Sequence, residues 1–375
     1  MLLPIEKGRL YSVAAALERY WSSWGLNARA QGDLGKMTTD SRRAFIKSVG
    51  VAAAATVMPA LSRGGRLSQD TAYEIRSSAR SGWAAVRVLD TEKMPIVSGS
   101  GPTGWGRKVL FESKQTGDHL TILYVGPGAE GAPVHYHTFH EWAYNIAGDF
   151  TNNESTSPDQ HYGPLQRFRE GNFLDRPPYS LHGGERGRQS YMKSQVGATI
   201  LIMEEGDVSG GTFTVEPNTG MTFNPDYKKI KTWSVPRIID TIDKMPFEPH
   251  PSAAGVEVKH LVDDQGRGFR AIIRYLPAGW ESSKAPQFAR AYHYKQAWQF
   301  NFVIAGDMNI QTYRAPGEKA ERFSLGNHFY VERAPMSIFG LADGVVTNGG
   351  VVWLEVTYGK GTSISNTPIE DPTFA

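Results

Sequence analysis

Short runs rich in Ile, Val, Leu, Tyr and Phe, broken by Gly and Pro, recur along most of the chain. Leu120 to Val125, Trp142 to Phe150, Phe269 to Leu276 and Trp298 to Ile310 are examples. No amphipathic stretch of ten or more residues with helical spacing of its apolar positions separates them. Many short strands with frequent turns predict an all-β sandwich or barrel rather than a sheet with crossover helices. With 40 Gly and 22 Pro in 375 residues, about a sixth of the chain, composition supports the same reading.

The pattern is written twice. Trp83-Ala-Ala-Val-Arg-Val-Leu-Asp-Thr91 is echoed by Trp233-Ser-Val-Pro-Arg-Ile-Ile-Asp-Thr241, and Lys93-Met94-Pro95 by Lys244-Met245-Pro246. Ile146-Ala-Gly-Asp149 returns as Ile304-Ala-Gly-Asp307, and the apolar run Ala198 to Glu205 corresponds to Val351 to Tyr358. A spacing of about 150 residues marks a duplicated domain, since solenoid repeats are far shorter. The copies are expected at 77–211 and 231–359, with a connector at 212–230 and a polar tail at 360–375.

Only the first copy carries a dense set of metal-binding side chains. Residues 135 to 148 read His-Tyr-His-Thr-Phe-His-Glu-Trp-Ala-Tyr-Asn-Ile-Ala-Gly. In a strand, side chains at i and i+2 leave the same face, so His135 and His137 can converge on one point. Glu141 has the same parity and can add a carboxylate, and Gly171 to His182 supplies a distant histidine after a turn. His140 has the opposite parity, which fits a solvent-facing or supporting role. Asn145 shares the parity of Glu141 and can face inward, paired with backbone or touching a substrate.

His-x-His-x3-Glu-x6-Gly followed by Gly-x5-Pro-x-Tyr-x2-His resembles the two motifs of the cupin superfamily. With the duplication, the chain resembles a bicupin: two tandem cupin-type β-barrels, double-stranded β-helices of the jelly-roll kind. Tyr179 stands where the family usually has Gly, and Arg186 where an Asn often follows; the first departure predicts a changed pocket floor. The resemblance implies that His135, His137, Glu141 and His182 ligate one divalent transition metal. Fe, Mn, Ni, Cu and Zn all suit three imidazoles and a carboxylate with positions left open.

In the second copy, aligning Gly306 with Gly148 puts His293, Lys295 and Gln299 at the positions of His135, His137 and Glu141. Pro335 to Gly340 aligns with Pro178 to Gly183 and puts Phe339 at that of His182. A Lys ammonium repels a cation, so this barrel is expected to be metal-free and structural. The functional alternative is an acidic ligand held by Lys295 and His293.

The chain has no Cys, which removes disulfides, thiolate metal sites and Cys nucleophiles. A net charge of +2 gives no basic field for nucleic acid, and no apolar run is long enough for a stable membrane span. No Gly-x4-Gly-Lys-Ser/Thr loop and no Gly-x-Ser-x-Gly elbow is present, and the Lys228-Lys229-Ile-Lys231 cluster reads as a solvated connector. Near the N-terminus, Ser41-Arg42-Arg43-Ala-Phe-Ile-Lys47 precedes an uncharged Ala-rich stretch from Ser48 to Leu61 and resembles a twin-arginine export signal. The signal is expected at 37–65, with translation starting at Met37 and 1–36 either a mis-assigned extension or a longer n-region. That route exports folded proteins and implies a periplasmic or secreted location, with the export machinery as one partner and a small-molecule substrate as the other; a homodimer is left open.

Since the fold hosts many chemistries, three functions are carried forward. The first is a metal-dependent dioxygenase acting on a small aromatic or diketone-like substrate. There the resemblance implies that the metal holds substrate oxygens and Glu141 doubles as ligand and catalytic proton acceptor. The second is non-redox metal-dependent isomerisation or decarboxylation. The third is a binding module without turnover.

Overall fold

The computed structural model describes residues 74–76, 82–98, 104–129, 131–155, 157–159, 165–184, 194–217, 219–289 and 293–359, with 365 and 367–368 beyond them. The export motif at 41–47 lies outside the described residues. Among them, strands dominate, and the α-helices are single turns, Val208–Gly211 and Pro286–Ala289. No helix among them is long and apolar enough to cross a membrane.

The chain forms two β-barrels. An eleven-stranded sheet curls into the first, and eight- and five-stranded sheets form the second. In the first barrel, Glu141–Ser155 is a continuous strand that belongs to both faces. Its first half pairs with Ala198–Glu204 and Asn172–Arg176, its second half with Leu165–Arg169 and Leu181–Gly183. The bend falls at the repeated Ile-Ala-Gly. Ile146 and Ile304 are each skipped in the ladder to the neighbouring strand, leaving the same β-bulge in both barrels. Gly148 follows at φ 77°, where an added Cβ would lie 2.0 Å from the Gly197 carbonyl oxygen; Gly306 sits likewise against Gly350. A barrel corner with backbone this close has no room for a side chain, so the repeated glycine is a steric requirement.

The two barrels exchange their first strands. Val86–Asp90, from the start of the first copy, pairs with Phe329–Arg333 of the second barrel. Arg237–Asp240, from the start of the second copy, pairs with Asn172–Arg176 of the first. Alternation along each strand serves both destinations. Val86 and Val88 fill the second barrel while Leu89 enters the core between the barrels, and Ile238 and Ile239 divide in the mirror sense. The repeated Asp-Thr locks each exchange. Thr91 Oγ1 donates to the His328 carbonyl (2.7 Å) and Thr241 Oγ1 to that of Gly171. Buried Lys108 and Lys259 donate to the carbonyls of the same two threonines.

Between the barrels lies the largest hydrophobic cluster, drawn from both copies. Trp142 faces Phe269 (centroids 6.1 Å apart), and Phe111 packs on Phe300 (5.1 Å) and Trp298 (4.9 Å). Burial of this seam is the main force holding the barrels together. The barrels differ inside: Val303, Ile310, Val331, Phe339 and Trp353 are among the buried side chains of the second, whereas the first keeps a thinner apolar lining around a cavity.

Candidate metal centre

His135–His137 and Leu181–Gly183 are short neighbouring strands, with His135 directly opposite His182. Thr212–Thr214 covers the other edge, placing Thr212 opposite His137 and Thr214 opposite His135. This strand falls within the expected connector and is an integral part of the barrel wall.

Each imidazole is fixed from behind. His135 Nδ1 donates to the Pro133 carbonyl (2.7 Å), His182 Nδ1 donates to that of Ser180 (2.9 Å), and His137 Nδ1 shares a hydrogen bond with Thr212 Oγ1 (2.9 Å). At His135 and His182, whose partners are carbonyls, Nδ1 carries the proton and Nε2 is left with its lone pair free, the arrangement that supporting contacts give to metal-ligating histidines. The same Pro133 carbonyl lies 2.4 Å from where a Cβ on Gly183 would stand, so the glycine after His182 lets the two strands close. Ligand atoms of His135, His137 and His182 lie within 4.8 Å of one another, and all three rings are buried. Burial, reinforced by nearby His137, pushes His135 down to about 3, and burial with the Arg176 charge holds His182 well below its ordinary value. They are therefore neutral, the form that binds metals.

Glu141 stands at the edge of this cluster. Its Oε2 lies 3.2 Å from His137 Nε2, a buried nitrogen with no hydrogen-bond partner. Its Oε1 is taken by the Arg176 guanidinium. Burial opposes its ionisation, but Arg176 and His137 outweigh that and hold its carboxyl well below the usual range. Glu141 shares a second compact group with His137 and Glu204, the cross-strand partner of Glu141. The carboxylate expected from the motif thus has a neighbour the motif does not contain.

Three further features escape the sequence reading. Arg176, 5 % exposed, bridges Glu141 and Glu154, and Asn152 Nδ2 donates to Glu154 Oε1 (2.9 Å). Glu204 Oε2 lies 2.6 Å from His119 Nε2. Burial works against protonation of His119, but Glu204 and the Gly117 carbonyl raise its pKa above the ordinary value. Thr212 orients His137. Arg176 was hidden as a spacer inside the second motif, and Glu204 near the end of an apolar run; pairing with Glu141 across the sheet is the signal that finds Glu204.

Asn145 lines the cavity while its Nδ2 donates to the Phe168 carbonyl (3.2 Å), the backbone pairing expected of an inward polar residue. His140 is half-buried outside the cluster. Tyr179 is no pocket floor: 37 % exposed, it stacks on Tyr136 (centroids 5.9 Å) and is absent from the cavity lining. It occupies φ 64°, the left-handed conformation that favours Gly, and Met336 repeats this at φ 68° in the second barrel. The cavity in front of the histidines is about 700 Å³. Its walls are largely apolar, with Trp105, Leu123, Phe150, Phe168, Leu174 and Ile200 prominent.

In the second barrel His293 lies opposite Phe339, as His135 lies opposite His182. Lys295 is buried and donates to Thr357 Oγ1 (3.1 Å), and Gln299 accepts from Arg333 Nη1 (2.7 Å). Among the described residues, neither of the compact metal-type groups lies in this barrel.

No protein-family model matches the chain, and neither does any curated protein sequence. Among solved structures, a candidate dioxygenase from Nostoc punctiforme is similar at 12 % identity with a TM-score of 0.51, over 76 % of this chain and 87 % of that one. A candidate glyoxylate-induced protein from Pseudomonas aeruginosa is similar at 9 % identity and TM-score 0.49, over 82 % and 97 % of the two chains. Oxalate decarboxylase from Bacillus subtilis is similar at 14 % identity and TM-score 0.46, over 84 % and 82 %. Such identities speak to the fold alone, and with the curled sheets described above the chain is an all-β protein of two tandem cupin-type barrels.

Proposed function

We propose that the first barrel is a mononuclear metal centre and that the protein is a metal-dependent dioxygenase acting on a small aromatic or diketone-like compound. His135, His137 and His182 hold a divalent Fe, Mn, Ni, Cu or Zn ion through Nε2, and Glu141 supplies the carboxylate. The observation that carries this reading is three buried imidazoles with clustered ring nitrogens, each held at Nδ1, facing a mostly apolar cavity of about 700 Å³. The orphaned Nε2 of buried His137 fits the same ligand set. A bound metal supplies a binding point for substrate oxygens and for O₂.

The protein's own groups shape the rest. The apolar walls hold a ring or an alkyl chain and exclude water, which favours a substrate larger and greasier than a two-carbon acid. Glu141 stays ionised and can accept a proton from a phenolic or enolic hydroxyl, while Arg176 fixes its orientation. A second reading, non-redox isomerisation or decarboxylation, is favoured by the His119–Glu204 pair, which gives the same cavity another proton-handling group. Oxygen uptake by the metal-loaded protein against a panel of phenols and diketones tests the proposal. Substrate-dependent uptake is expected; product formation that proceeds equally under nitrogen transfers the assignment to the second reading. Export by the twin-arginine route is part of the proposal, supported by Arg42-Arg43 and the stretch behind them. Replacing both arginines with Lys is expected to retain the protein in the cytoplasm.

A further inference from the structure

The second barrel repeats the backbone of the first with its charges inverted. Matching registers define the equivalences: Glu141 pairs with Arg176 and Glu204 as Gln299 pairs with Arg333 and Thr357. Glu204 faces His119 as Thr357 faces Arg270, and His182 faces Glu154 as Phe339 faces Thr312. Three interior carboxylates of the first barrel, Glu141, Glu154 and Glu204, thus become Gln299, Thr312 and Thr357. His119 and His137 become Arg270 and Lys295, while the buried arginine is kept as Arg333.

Arg176 has two carboxylate partners; Arg333 has neither. It is 2 % exposed, its Nη1 donates to Gln299 Oε1 (2.7 Å), and its flat face covers the Phe339 ring at 4.1 Å. Its Nε and Nη2 have no hydrogen-bond partner, and neither does Thr312 Oγ1 at the position of Glu154. Arg270 Nε and Arg274 Nη1 are also buried and unpaired. Glu355 makes its ion pairs with Arg274 (3.1 Å) and Arg270 (3.7 Å); its charge reaches Arg333, but it leaves the Nε–Nη2 edge without a hydrogen-bonded acceptor. A buried guanidinium without an anion is strongly unfavourable. The idle pair, Nε and Nη2, forms one edge of the guanidinium, the edge that grips a planar oxyanion through two parallel N–H···O bonds.

We propose that the second barrel binds a small carboxylate, held side-on by the Nε–Nη2 edge of Arg333 with Lys295 and Arg270 beside it. The barrel that lost its cation site became an anion site by replacing the groups around a retained arginine. Burial pushes Lys295 down to about 7 and Arg333 to about 9, and the charge of nearby Glu355 only partly offsets it.

Calorimetric titration of the full-length, metal-loaded protein with formate and with acetate, against chloride at equal ionic strength, tests this. Saturable binding of one carboxylate per chain is expected in the wild type and in His182→Ala, weakened at least tenfold in Arg333→Gln. Gln299→Glu restores the internal counter-ion of the first barrel; it is expected to abolish carboxylate binding and raise Tm in chloride buffer, which decides the matter if Arg333→Gln does not fold. The proposal is overturned if chloride binds as tightly as acetate, if His182→Ala abolishes binding, or if Gln299→Glu binds acetate like the wild type.

Discussion

Two buried cations show how single side chains set the properties of each barrel. Arg176 neutralises Glu141 and Glu154 inside the first. In the metal-free protein Arg176→Met leaves two carboxylates buried without a counter-charge, so a loss of about 3–5 kcal/mol is expected from denaturant unfolding; a loss below about 1 kcal/mol would show that the network is not needed. Lys295 is the opposite case. Burial lowers its folded pKa to about 7, whereas the unfolded chain holds its proton to about 10.4. Between these values the unfolded state binds more protons, so stability rises with pH across this window. Lys295→Met removes that dependence, and its stability advantage over the wild type is expected to be largest near pH 7 and to shrink towards pH 10. An advantage that grows with pH would contradict the sign. At this scale the sequence was partly legible. Parity of two found His135 and His137, and the family resemblance supplied Glu141 and His182. Arg176 and Glu204 were invisible because a charged residue on a strand carries no local mark of being buried; only pairing across the sheet reveals it.

Among the elements, the exchanged strands tie the barrels most directly. Leu89 is 1 % exposed and turns from the strand Val86–Asp90 into the core shared by both barrels. Leu89→Ala is expected to cost about 2–5 kcal/mol, read from the unfolding midpoint, and a cost under about 1 kcal/mol would mean that the strand is not firmly packed. The duplicated Trp-to-Thr segments announced two equivalent strands, yet not that each serves the other barrel. Local periodicity encodes which residues turn inward and says nothing about which distant strand is the partner. Thr212–Thr214 was read as linker for a related reason: three residues after Gly210-Gly211 give too short a pattern to register as a strand. By contrast the Ile-Ala-Gly-Asp repeat was visible in the sequence as a mark of duplication, and the bulge and corner it encodes explain why it recurs, since a steric requirement repeats with the fold.

As a whole the molecule is a duplication whose halves have diverged in their interiors and stayed alike in their walls. The first barrel keeps a cavity lined by three imidazoles; the second carries a larger apolar cluster and is rich in buried cations. That asymmetry predicts one metal per chain, and elemental analysis of the purified full-length protein tests it most directly. One equivalent of a divalent transition metal is expected in the wild type and in His293→Ala, falling below about a tenth in His182→Ala while the variant remains folded. Full retention of the metal by His182→Ala, or loss of an equivalent in His293→Ala, would contradict the account.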